Sequence, residues 1–143
     1  MNKLTALNVA SNTAIAQLYV WGNQLSTLDV SKLTVLEGLS AGNNKLTSVT
    51  LGSTKLQDIG LSGNMLTSFS LKDLPELLSL DISSNRLTSL TLSGLPNLAN
   101  LTVSNNFLSS LTLATFPQLN ELNIENNRIS SLTLTGVAKL ANL

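Results

Sequence analysis

The feature that most constrains this chain is an internal repeat, because a fixed period of 20 to 50 residues decides an architecture before any local propensity does. The stretches "LLSLDISSNRLTSLTL", "LANLTVSNNFLSSLTL" and "LNELNIENNRISSLTL" place Asn85, Asn106 and Asn127 in register. Each asparagine is followed two residues later by Leu87, Leu108 or Ile129. The same apolar place recurs at Leu4, Leu25, Leu46 and Leu66, with successive offsets of 21, 21, 20, 21, 21 and 21 residues. Residues 1–143 therefore form a single array of about six and a half 21-residue turns, with no recognisable capping segment at either end.

Within a turn the alternation of Leu80 and Ile82 with Ser79, Asp81 and Ser83 has the period of a strand with one buried face. A second alternation, Leu90 and Leu92 around Thr91, predicts another short strand further round. One turn cannot bury its own apolar side, so the turns must stack and each leucine place becomes a column running through the core. The first strands are expected near 18–20, 39–41, 59–61, 80–82, 101–103 and 122–124, with Leu143 inside a seventh. Exposed apolar columns at the two ends predict either an excised fragment or end-to-end self-association.

The average turn, L-x-x-L-x-L-x-x-N-x-L-T-S-L-T-L-S-g-L-P-x, resembles the leucine-rich repeat family over essentially the whole chain. Its short 21-residue turn is most similar to repeats of bacterial surface and secreted proteins. The resemblance implies a β-rich solenoid: a right-handed coil with a parallel concave sheet and short second strands or turns on the other side. It also implies a non-catalytic module that binds a protein or surface glycan through the concave face, in a secreted or cell-surface setting. No signal peptide is recognisable in this chain, since Leu4 already belongs to the repeat.

Asn23, Asn44, Asn64, Asn85, Asn106 and Asn127 fall where the chain leaves the first strand and turns inward. An amide both donates and accepts, so a stacked ladder bonding the backbone of neighbouring turns is the structural role expected there.

Composition narrows the function classes. Only 11% of residues are charged, and eight Lys and Arg balance eight Asp and Glu with no basic cluster, which argues against nucleic acid and anionic membranes as partners. No apolar run is long enough to insert into a bilayer. The chain has no histidine and no cysteine, which removes the usual zinc site, the cysteine nucleophile and the histidine base. No cofactor is expected. Asp58, Asp81, Glu121 and Glu125 take outward strand places, but an open, solvated sheet offers nothing to raise a carboxyl pKa for acid catalysis. They are expected to be solvated surface carboxylates.

Departures from the average turn point to recognition. Gln17, Tyr19 and Trp21 stand in outward columns that elsewhere hold only small or polar residues; paired exposed aromatics are the usual anchors of an interface, and the competing account is that the two rings cover the first turn of the solenoid. Asp81, Glu121 and Glu125 further along would favour a partner with some positive charge. Arg86, Phe107 and Arg128 share the column after the asparagine, where a Phe between two Arg can form a cation-π stack at the rim. The segment "GSTKL", 52–56, lacks one residue and the apolar place held elsewhere by Leu33, Leu74, Leu95, Phe116 and Val137. A different function class follows from the second strands. Their outward Ser48/Thr50, Ser68/Ser70, Ser89/Thr91, Ser110/Thr112 and Ser131/Thr133 form hydroxyl rows similar to the faces of ice-binding solenoids. The plain structural account is that hydroxyl residues suit exposed strand places.

Overall fold

The computed structural model describes residues 2–143. Twelve short strands and no helix make up these residues. Six strands stack as one parallel sheet: β1 (Gln17–Tyr19), β3 (Gly38–Ser40), β5 (Asp58–Gly60), β7 (Ser79–Asp81), β9 (Asn100–Thr102) and β11 (Glu121–Asn123). Between them, on the opposite side of the coil, lie β2 (Thr27–Asp29), β4 (Ser48–Thr50), β6 (Ser68–Lys72), β8 (Ser89–Ser93), β10 (Ser110–Ala114) and β12 (Ser131–Thr135). Neighbouring turns pair at the repeat offset, so Leu18, Leu39, Ile59, Leu80, Leu101 and Leu122 form one continuous inward column. The fold is a β-solenoid of about six stacked coils.

The first strands begin and end one residue earlier than the alternation placed them. The reason lies at Val20, Ala41, Leu61, Ile82 and Val103. Their amides still bond the next turn, as Val20 N–H does to Ser40 O at 2.8 Å, but their side chains already point into the core at the start of the inward bend. Near the end of the chain the expected seventh strand is reduced to a single parallel bridge between Glu121 and Asn142.

The core is mostly leucine, with valine, isoleucine, Ala41 and Phe116 at the remaining places. Leu25, Leu46, Leu87 and Leu108 are fully buried, as are Leu36, Leu56, Leu77, Leu98 and Leu119 on the arc. Each such side chain contributes about 1.5 to 3 kcal/mol of transfer free energy. Pro75, Pro96 and Pro117 begin the arc's tight turns, each closed by a backbone bond such as Leu77 N–H to Leu74 O at 3.2 Å. Proline's fixed φ suits that turn position.

The second face is not one sheet. It falls into three separate pairs, β2 with β4, β6 with β8 and β10 with β12. No Cα of β4 comes within 8 Å of one in β6, and a cleft of about 460 Å³ opens there between Leu51 and Phe69. The shortened 52–56 segment sits beside this break. Gly52 lies against turn one, where a Cβ would stand 2.6 Å from the Ser31 carbonyl carbon. Ser53 fills the missing leucine place; it is buried, and its hydroxyl donates to Thr34 O at 3.1 Å and accepts from Lys55 N–H at 3.1 Å. The second turn thus leans toward the first and away from the third. The hydroxyl rows are broken at the same places, so they do not form the continuous lattice that an ice-binding face needs.

Candidate recognition face

The first strand of each turn is positioned from behind by the asparagines. Asn44 Oδ1 accepts from Leu25 N–H at 3.1 Å, while its Nδ2 donates to Val20 O at 3.0 Å, Ala41 O at 3.1 Å and Gly42 O at 3.1 Å. Asn64, Asn85, Asn106 and Asn127 repeat the pattern, and Asn23 bonds Leu4 N–H at 3.1 Å. Most of the carbonyls at the inward bend accept from two asparagines, their own and that of the next turn: Leu61 O receives both Asn64 and Asn85.

Just before each asparagine the chain passes through the left-handed region, at Gly22, Asn43, Gly63, Ser84, Asn105 and Asn126. This conformation favours Gly and Asn. It turns the strand sharply inward and leaves the preceding outward residue, such as Trp21, at the lip of the sheet.

On that sheet Tyr19 is 73% exposed and Trp21 54% exposed. Tyr19 OH donates to Gln17 Oε1 at 3.2 Å, and the Gln17 side chain lies across Gly38, where any Cβ would collide with it. The indole of Trp21 lies over Gly42, whose Cβ would stand 3.0 Å from Trp21 Cδ1. The glycines of the second turn therefore make the floor on which Gln17 and Trp21 rest. The register then carries the Tyr19 column through Ser40 and Gly60 to Asp81, Thr102 and Asn123. Asp81 Oδ1 accepts from Ser83 N–H at 2.9 Å and so also shapes its own bend. Glu121 and Glu125 stand on the same face in the sixth turn, where Glu121, Glu125 and Asn142 line a broad hollow of about 900 Å³.

At the rim Arg128 lies over the Phe107 ring at 4.8 Å, and Phe107 is 43% exposed. Arg86 is not part of this contact, so the expected three-membered stack is a pair. Leu78, just before β7, is 45% exposed, an apolar surface that the strand alternation alone does not flag. Its column otherwise holds Ala16, Glu37, Gln57, Ala99 and Asn120, and a large apolar residue among those was the available signal. Among the described residues no group of three or more His, Cys, Asp or Glu could hold a metal ion, and no helix is long and apolar enough to cross a membrane.

Residues 76–98 match the family model described as Leucine Rich Repeat. That stretch is about one turn, and the other turns repeat its pattern in register, so the match is to one coil of a β-solenoid. The chain's fold is similar to that of the functional domain of InlJ from Listeria monocytogenes, a structure described as including a cysteine ladder. The two are 19% identical with a TM-score of 0.54 over 99% of this chain and 48% of that one, so the chain spans about half the length of that domain. The present chain has no cysteine, and asparagine forms its ladder. No curated protein matches.

Proposed function

We propose that this chain is a non-catalytic recognition module that binds a protein partner through its concave sheet, in a secreted or cell-surface setting. The observation that carries the reading is the pair Tyr19 and Trp21. They are two large, exposed rings two residues apart on a face whose later turns offer small or polar groups. Rings with few rotatable bonds lose little entropy when fixed and bury a large area, so such a pair can dominate a modest interface. Gln17 extends the row, and Phe107 with Arg128 forms an aromatic and cationic pair at the rim just past the asparagine bend. A surface glycan is the alternative ligand, and the same rings would stack on a sugar face.

The test is affinity capture from bacterial or host surface extracts, run in parallel with wild type, Trp21→Ala and Tyr19→Ala, together with a glycan array. A protein captured by wild type and lost with either variant supports the proposal. Capture that is indifferent to both substitutions refutes it.

A further inference from the structure

Charge is distributed unevenly for a chain of zero net charge. Asp58, Asp81, Glu121 and Glu125 all stand on outward places of the concave strands or on the bend just after them. No lysine or arginine shares those places; Lys3, Lys45, Arg86 and Arg128 are at the rim after the asparagines, Lys72 ends β6, and Lys32, Lys55 and Lys139 lie on the arcs. The only salt bridge among the described residues joins Lys72 to Asp73, far from this face. The concave carboxylates are therefore without ionic partners, and the aromatic faces of Tyr19 and Trp21 at the opposite end of the sheet also attract cations.

Spacing narrows the partner further. Tyr19 and Asp81 are three strand steps apart, and the first and sixth turns are five steps apart. At about 4.8 Å per step these are roughly 14 Å and 24 Å. An extended polypeptide rises about 3.4 Å per residue, so the same spans correspond to about four and about seven residues. A small glycan held on the rings would reach none of the distant carboxylates.

We infer that the concave face takes an extended polypeptide segment bearing spaced lysine or arginine side chains. The segment runs along the solenoid axis from the aromatic pair toward Glu121 and Glu125. One cationic side chain lies on Tyr19 and Trp21, a second reaches Asp58 and Asp81, and a third reaches the sixth-turn glutamates. The low floor at Gly60, between the aromatic pair and Asp81, lets the partner's backbone come close. This inference rests on the reading of the concave sheet as the recognition face.

The probe is a short synthetic peptide with arginine at its start and lysines about four and about eight residues later, even offsets that keep all three side chains on one face of an extended chain while covering the longer span, in a Ser, Thr and Gly background without tryptophan. Two comparison peptides carry the same cations side by side, or glutamate in their place. Binding is followed by Trp21 emission and by calorimetry at low and at high salt. The spaced peptide should bind wild type best, with affinity falling as salt rises. Combining Asp81→Asn, Glu121→Gln and Glu125→Gln, with thermal melting checked against wild type, should weaken it by about tenfold, each partly screened charge contributing a factor of a few. Equal binding of the cationic and glutamate peptides, no binding of the spaced peptide, or no effect of neutralisation overturns the inference. If Trp21→Ala still abolishes capture of a natural partner in that case, the recognition reading stands and only the cationic assignment falls. If Trp21 is indifferent in both assays, both fall.

Discussion

Replacing Asn85 by alanine removes four hydrogen bonds at once, yet the ladder's geometry makes the losses unequal. Asn85 Oδ1 is the acceptor for Leu66 N–H at 3.0 Å, and its Nδ2 donates to Leu61 O, Ile82 O and Ser83 O. Leu61 O keeps Asn64, Ile82 O keeps Asn106 and Ser83 O keeps the amide of Gly63. The group left stranded is Leu66 N–H, on a residue 1% exposed. A buried donor without a partner costs about 1 to 3 kcal/mol, so the single substitution should cost about 2 kcal/mol. Asn64→Ala with Asn85→Ala strands Leu61 O as well, and the double variant should exceed the sum of the singles by about 1 kcal/mol. Asn23→Ala, whose bond to Leu4 N–H is exposed, should cost clearly less, under about 1 kcal/mol. Urea unfolding is measured for wild type, the singles at Asn23, Asn64, Asn85 and Asn106 and the double variant, and the slope m must stay constant for the midpoints to report stability alone. Singles at Asn85 and Asn106 that both cost under about 0.5 kcal/mol, or an additive double variant, would refute the shared-carbonyl ladder.

Other substitutions probe the backbone. Gly52→Ala should destabilise by about 1 to 3 kcal/mol, because its Cβ would meet the fixed backbone of Ser31 and force the first two turns apart; a thermal melt checks this. Thr115 sits at φ 66° where Gly94 and Gly136 hold the equivalent places, so Thr115→Gly should stabilise by about 1 kcal/mol in the same assay. Ser84→Gly, at φ 52°, should gain about half as much. The Ser31 N–H bonded to Asp29 Oδ1 at 2.9 Å holds the Asp29 carboxyl below the usual aspartate value. A depressed folded pKa means that this contribution is present above the unfolded value and is lost as pH falls through the folded one. Titration followed by NMR should therefore place Asp29 below the usual aspartate value.

The stack of coils was legible because the repeat leaves little choice. Once Leu80 and Ile82 alternate with Ser79 and Asp81 at a fixed period, the leucine columns and the parallel sheet follow. A side-chain period of two likewise assigned Tyr19 and Trp21 to the outward face. Other features depend on contacts between turns, which a turn-by-turn reading does not contain. The second strands look uniform in sequence, yet Gly52 and Ser53 draw one turn toward its neighbour and the row breaks between β4 and β6. The left-handed residue before each asparagine was hidden because serine takes that place at Ser84 while glycine or asparagine takes it in the other turns. At the rim Arg86 and Arg128 look equivalent, but long side chains choose among neighbours and only Arg128 lies on Phe107.

The central claim is that the aromatic pair serves a partner and not the fold, and Trp21 reports on it directly because it is the only tryptophan. The measurement is the emission spectrum of the free protein and of the protein with its captured partner, with binding and melting temperature compared between wild type and Trp21→Ala. The account predicts a solvent-exposed, red-shifted spectrum that moves to the blue when the partner is added. It also predicts a loss of about 2 kcal/mol or more in binding with a nearly unchanged melting temperature. A blue-shifted spectrum in the free protein, with Trp21→Ala lowering stability and leaving binding intact, would contradict it and make the pair a cover over the glycines of the second turn.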